Sequence, residues 1–203
     1  MEPTSLTNAQ PPPRSDASIR ARHSRGGWAT AVVMAVIVAV VLGGYVVAGA
    51  LSQPAGPPVG FRGVVSVRPV SGWVYAGRGA IVGAPFVRLT RGSGNLDVVA
   101  VVPATSDAQS LAFRYVHTAL AQRLSQLSVS EVLGNVSLRS GLVGVRFGYV
   151  GVQADTGTSI EGEVTVVVTA SDHGVVFDGW APAGLLPFVR SDIETMIADA
   201  AVG

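Results

Sequence analysis

The sequence predicts an α+β domain, an antiparallel sheet of six or seven strands packed with two helices, preceded by one transmembrane helix. Three observations carry that expectation. After residue 61 the hydrophobic pattern alternates with a period of two in several stretches, the mark of half-buried strands. Short turns join those stretches, and short connections demand antiparallel pairing. Residues 28–51, WATAVVMAVIVAVVLGGYVVAGAL, carry no charge. At about 1.5 Å of rise per residue, a helix of that length exceeds the roughly 30 Å of a bilayer's hydrocarbon core.

The chain begins with a polar arm, residues 1–27, holding Pro11, Pro12 and Pro13 and almost nothing apolar. Such a composition buries too little surface to offset its ordering entropy, so a disordered cytoplasmic arm is expected. Arg14, Arg20, Arg22 and Arg25 lie just before the apolar segment, opposed by Glu2 and Asp16, and the next basic residue is Arg62. Basic residues stay on the cytoplasmic side, so the expected orientation is N-terminus in, C-terminus out, in a cell membrane. Ala48-Gly49-Ala50 also satisfies the small-residue rule for signal-peptidase cleavage, and the alternative is a protein secreted after a cut near Ala50. The length of the apolar run and of the arm favours the uncleaved anchor. Residues 52–60 are rich in Pro and Gly and read as an extended linker to an extracytoplasmic domain, 61–203.

Within that domain, Val64 to Val67 reads as a strand ended by Pro69, and Ser71-Gly72-Trp73 as a turn. Residues 86–90 and 96–102 form a hairpin about Gly92-Ser93-Gly94-Asn95. Ser106-Asp107-Ala108-Gln109 matches a capping box. Behind it Leu111, Tyr115, Ala119, Leu120, Leu124 and Leu127 recur at helical spacing, which predicts an amphipathic helix of about five turns. Strands follow over 129–138, 142–153 and 160–170, and Val175-Val176-Phe177 leads to Gly179-Trp180. A final helix begins near Pro187, with Leu186, Val189, Ile193, Met196, Ile197 and Ala200 on one stripe.

Composition narrows the chemistry. Charged residues are 13% of the chain, against about 25% in an ordinary soluble protein. All 14 basic residues are Arg, which reads as the codon bias of a GC-rich bacterial genome. With no Cys, disulfides, thiolate metal sites, thiol nucleophiles and a lipidated N-terminal Cys are excluded. The outer domain balances ten Arg against eleven acids, so it has no basic stripe and nucleic acid is not an expected partner.

The opening Val67-Arg68-Pro69 followed by Gly72-Trp73, the early hairpin, the middle helix, the long meander and the terminal helix together resemble the PsbP-like superfamily. The resemblance spans about residues 61–202 and is closest to its actinobacterial branch, the LpqN-type lipoproteins. It implies an α/β/α sandwich acting as a non-catalytic accessory or binding module at a membrane. The chain departs from that branch in carrying an apolar span where those proteins carry a lipidated Cys.

No catalytic motif emerges, so no enzyme, cofactor or metal site is expected. His117 lies mid-helix, His173 in a turn and His23 in the arm. Glu161 and Glu163 project from one side of a strand, which reads as a solvated face discouraging edge pairing. Asp155, Asp172 and Asp178 fall at or near strand ends, without EF-hand spacing. Arg88 and Arg91, in the basic, Gly-containing turn RLTRGSG, form a candidate anion site. Trp73, Trp180, Phe61 and Phe86 are candidates to line an apolar ligand cleft, although between sheet and helix aromatics are more often core. The function expected is a single-pass membrane module binding a protein partner or envelope component. The alternative is a tethered carrier of a lipid or apolar small molecule, which would need an enclosed cleft where a partner-binding module needs an exposed apolar patch.

Overall fold

The structure, a computed structural model, describes residues 31–40, 56–104, 107–131 and 134–203. The chain divides into two compact units, Met1–Leu51 and Ser52–Gly203. In the first, residues 31–40 are helical. The rest of the predicted span, the arm with Arg14, Arg20, Arg22 and Arg25, and linker residues 52–55 lie outside the described residues. Among the described residues no helix is long and apolar enough to cross a membrane.

The second unit is an α+β fold built on a large antiparallel sheet. Its strands are β1 (Val59–Phe61), β2 (Val65–Val67), β3 (Val74–Ile81), β4 (Ala84–Arg91) and β5 (Gly94–Val101). Helix α1 follows, in three joined pieces: Ala108–Tyr115, a π turn over Val116–Leu120, and Ala121–Arg123. Then come β6 (Leu124–Val129), β7 (Gly134–Ser137), β8 (Val143–Gln153), β9 (Ser159–Val168), β10 (Gly174–Pro182), helix α2 (Pro187–Ala198) and β11 (Ala201–Val202). Eight strands make one sheet in the order β3-β4-β5-β10-β9-β8-β6, with β7 also on β8, while β1, β2 and β11 make a separate small sheet.

Both faces of the large sheet are covered, which is why its central strands read as apolar runs. On one face lie Leu89, Leu96, Val98, Val167, Val175 and Phe177, packed against α2 and the small sheet. On the other lie Val99, Phe147, Tyr149, Val164, Val166 and Val176, packed against α1. The α2 stripe predicted from spacing is the buried one: Leu186, Val189, Ile193, Met196, Ile197 and Ala200 all face the sheet. Gly179 permits that closeness, since a Cβ there would meet Ile193 Cγ2 at 2.9 Å.

Four expectations need correction. The large sheet has eight strands, because Val74–Ile81 pairs with β4 as an edge strand. Its sequence, VYAGRGAI, hides it: small residues on both sides leave no alternation to read. Strand β1 takes in Val59 and Gly60, expected within the linker. Helix α1 stops at Arg123, and Leu124 and Leu127, placed in the helix by spacing, belong to β6 on the edge of β8. The described N-cap is Asp107, whose Oδ1 accepts from Ser110 N–H at 2.8 Å, and Ser106 lies outside the described residues.

Candidate functional site

The most unusual chemistry lies between α1 and the sheet. Antiparallel register sets Arg88 of β4 beside Asp97 of β5, Asp97 beside Asp178 of β10, and Asp178 beside Val164 of β9. Two carboxylates thus sit directly opposite across neighbouring central strands, an arrangement that repels when both are charged. Both are fully buried. Asp178, expected at or near a strand end, lies in the middle of β10.

Every oxygen of the pair is engaged. Arg88 grips Asp97 with two parallel bonds, Nε to Oδ1 at 2.6 Å and Nη2 to Oδ2 at 2.8 Å. Trp180 Nε1–H donates to Asp97 Oδ2 at 3.3 Å. Asp178 Oδ1 accepts from the Tyr149 hydroxyl at 2.7 Å, and its Oδ2 from the Tyr115 hydroxyl at 2.8 Å and Arg123 Nη1 at 3.1 Å. Arg123 Nη2 stands 3.9 Å from Asp97 Oδ2, so one guanidinium bridges both acids.

The π turn explains how α1 delivers two of these groups. In a regular α-helix, side chains eight positions apart, such as Tyr115 and Arg123, diverge by roughly 80°. Between them Ala121 N–H bonds Val116 C=O, a spacing of five that adds a residue to that turn. The extra residue rotates Arg123 back above Tyr115, and both reach Asp178 Oδ2. Tyr149 reaches across from β8 because its register partner on β9 is Gly162. A Cβ there would lie 2.4 Å from Tyr149 Cζ. Gly162→Ala is therefore expected to push the ring off Asp178 and cost about 1–3 kcal/mol of overpacking in urea denaturation. An unchanged midpoint would mean the ring does not need that gap.

Burial pushes the Asp178 carboxyl above its ordinary value of 3.8; Arg123 opposes that shift and the neighbouring Asp97 reinforces it. Burial, then the Asp178 charge, holds both phenols protonated well above the usual tyrosine range, so both remain donors. Arg88 is held charged chiefly by its bonds to Asp97. For Arg123, burial works against the charge, but Asp178, Tyr115 and Asp97 together outweigh it and raise its proton affinity.

Outside this network the predicted site residues separate. Trp73 and Phe61 belong to the core on the α2 face, Trp180 and Phe86 to the core on the α1 face. They cannot line one cleft, because the sheet runs between them. Arg88 and Arg91 also diverge. Their odd spacing turns Arg88 to the α1 face, onto Asp97, and Arg91 to Asp192 of α2, which also accepts from Trp73 Nε1–H at 3.0 Å. Glu161 and Glu163 share a face as expected, but that face meets α2. Glu161 accepts from Leu186 N–H at 3.0 Å, and Glu163 pairs with Arg190 and, at 3.6 Å, with Arg146. His173 Nδ1 lies 2.6 Å from Gly203 O, and the His117 ring packs tilted against Phe113 with centroids 4.2 Å apart. Among the described residues no group of three or more His, Cys, Asp or Glu is placed to hold a metal.

The α1 layer also carries surface recesses. A pocket of about 340 Å³ opens beside Arg88, Arg123 and Trp180. A groove of about 300 Å³ runs between α1 and β6, lined by Ala112, Phe113, Val116, Val129 and Phe147.

No family model and no curated protein matches the sequence. Solved structures do match. Cyanobacterial PsbP (CyanoP) from Synechocystis is similar with a TM-score of 0.51 and 16% identity, over 75% of this chain and 95% of that one. LpqN of Mycobacterium tuberculosis, described as involved in cell envelope biogenesis, has a TM-score of 0.48 and 11% identity over 72% and 89%. The Saccharomyces cerevisiae Ran-binding protein Mog1p has 0.48 and 12% over 74% and 96%. A two-faced antiparallel sheet between α1 and α2, matched along nearly the whole of CyanoP, gives this chain the PsbP-like fold.

Proposed function

We propose that this chain is a non-catalytic module tethered to a membrane, which binds a protein partner through the outer side of α1. The observation that carries the reading is Phe113. Its side chain is 68% exposed at the edge of the apolar groove between α1 and β6, on a helix whose inner side is fixed to the sheet by Tyr115, Leu120 and Arg123. A rigid aromatic beside a small apolar recess is the composition of an interface hot spot. An exposed apolar patch is also what separates a partner-binding surface from a carrier, whose ligand would sit inside. Here the positions proposed for a carrier's cleft are core residues on opposite sheet faces.

The tether is residues 28–51, with the Arg-rich arm inside and the PsbP-like domain outside. Supporting it, the helix over residues 31–40 exposes Val32, Val33, Met34, Val36, Ile37, Val38 and Val40, apolar on all sides as a lipid-facing helix is. One span then confines the module near the membrane and raises its local concentration for a partner there.

Phe113→Glu tests the binding surface. The side chain is exposed, so folding stability should stay within about 0.5 kcal/mol of wild type, while a complex crosslinked in the host membrane should disappear. A complex that survives with unchanged yield would remove this surface from consideration.

A further inference from the structure

The Asp97–Asp178 network costs more than a core needs. Buried ion networks of this kind are often matched or bettered in stability by well-packed apolar residues. What this one achieves is the fixed placement of two guanidinium groups at a surface. Asp97 locks Arg88 through Nε and Nη2, and Asp178 locks Arg123 through Nη1. Each side chain keeps part of its surface open, 33% for Arg88 and 24% for Arg123. Both lie over the Trp180 ring, at 5.4 Å and 6.0 Å from its centroid. The groups left over, Arg88 Nη1 and Arg123 Nε, make no hydrogen bond to any described residue.

Both arginines line the 340 Å³ pocket, together with Gln122, Gln153 and Asp155. Gln153 Oε1 accepts from the Thr156 hydroxyl at 2.9 Å, which leaves its Nε2 to donate. The unused groups at this pocket are therefore mainly donors, on guanidinium and amide. They outnumber what a two-oxygen carboxylate accepts and suit the three outer oxygens of a phosphate. We propose that Arg88 and Arg123, oriented from below by Asp97 and Asp178 and flanked by the amides of Gln122 and Gln153, bind the phosphate group of a ligand over Trp180. The site differs from the turn suggested by sequence: Arg88 is shared, but its partner is Arg123 from the end of α1, delivered by the π turn, and Arg91 faces the other way. It is also separate from the Phe113 groove, so it stands whether or not that surface binds a protein.

Phosphate can arrive as a water-soluble ester or as a lipid headgroup, and the test separates them. The full chain in detergent is titrated with inorganic phosphate, and in a second arm is reconstituted into nanodiscs with or without phosphatidylglycerol. Both are followed at the Trp180 indole N–H and arginine Nε–H resonances. The expected result is a saturable shift in one arm, which names the source. Arg123→Gln should weaken it by about tenfold or more, the loss of one charge-assisted contact. Because Arg123→Gln also releases Asp178 and could unfold the chain, Asp155→Asn is the second variant. It removes the one carboxylate of the pocket lining from an exposed turn and should tighten binding. No saturable shift in either arm, or a shift indifferent to both substitutions, overturns the proposal.

Discussion

Asp178→Ala should lower folding stability by about 3–5 kcal/mol, the cost of breaking a buried charged network by removing one partner. The loss is this large because three donors converge on one carboxylate. Tyr115 and Tyr149 would be left with buried hydroxyls and no acceptor, and Arg123 with a half-buried charge held only by Asp97 at 3.9 Å. Urea denaturation reads the effect directly as a fall in midpoint at constant slope. Asp178→Asn should cost less, because the amide oxygen keeps an acceptor in place. Wild type also separates from both variants in pH dependence. The folded Asp178 carboxyl holds its proton above 3.8, so between 3.8 and that higher folded value the native state binds more protons than the unfolded chain. Its contribution to stability is therefore present below that window and declines as pH rises through it, then stays level. Asp178→Asn and Asp178→Ala should each remove that decline. A midpoint for Asp178→Ala equal to wild type would show that the network is not closed as described.

Val38→Arg should cost about 2.5–3.5 kcal/mol of insertion free energy, if residues 28–51 cross a bilayer. Val38 lies near the middle of that segment, and its helix surrounds it with exposed Val and Ile. A guanidinium there has no partner within the helix and sits too deep to reach the headgroups. Carbonate extraction of host membranes measures the outcome. Wild type should stay in the membrane pellet and Val38→Arg should move in large part to the soluble fraction. Equal retention would contradict the tether while leaving the PsbP-like domain untouched.

Much of the fold was legible because burial imposes period. The stripe from Leu186 to Ala200 and the alternation of β8 and β9 each have a single apolar face to satisfy, and spacing reveals it. Strand β3 was illegible because an edge strand of Gly and Ala has little to bury. The start of β6 was hidden because Leu124 and Leu127 continue the helical spacing of α1, and the Ser and Gln between and around them carry no strand signal of their own. The ionic network was partly visible. Asp97 and Asp178 each interrupt an apolar run, Leu96 to Val99 and Val175 to Trp180, and a lone acid in a central strand must find a partner. What no local pattern reveals is register, which sets the two acids side by side, or the π turn, which brings Arg123 over them. The aromatic cleft failed for the same reason. Residue type named Trp73 and Trp180 as large apolar groups, but Trp73, in the turn before β3, packs on the α2 face and Trp180 of β10 lies on the α1 face.

On the proposed function, the outer side of α1 meets a protein. A photo-reactive phenylalanine analogue placed at position 113 of the full chain, and irradiated in host membranes, tests it most directly. Position 188 on α2, 79% exposed, serves as the equally accessible control. The expected result is a discrete protein adduct from 113 that is absent from 188. Identical adducts from both positions, or lipid adducts alone from 113, would contradict it.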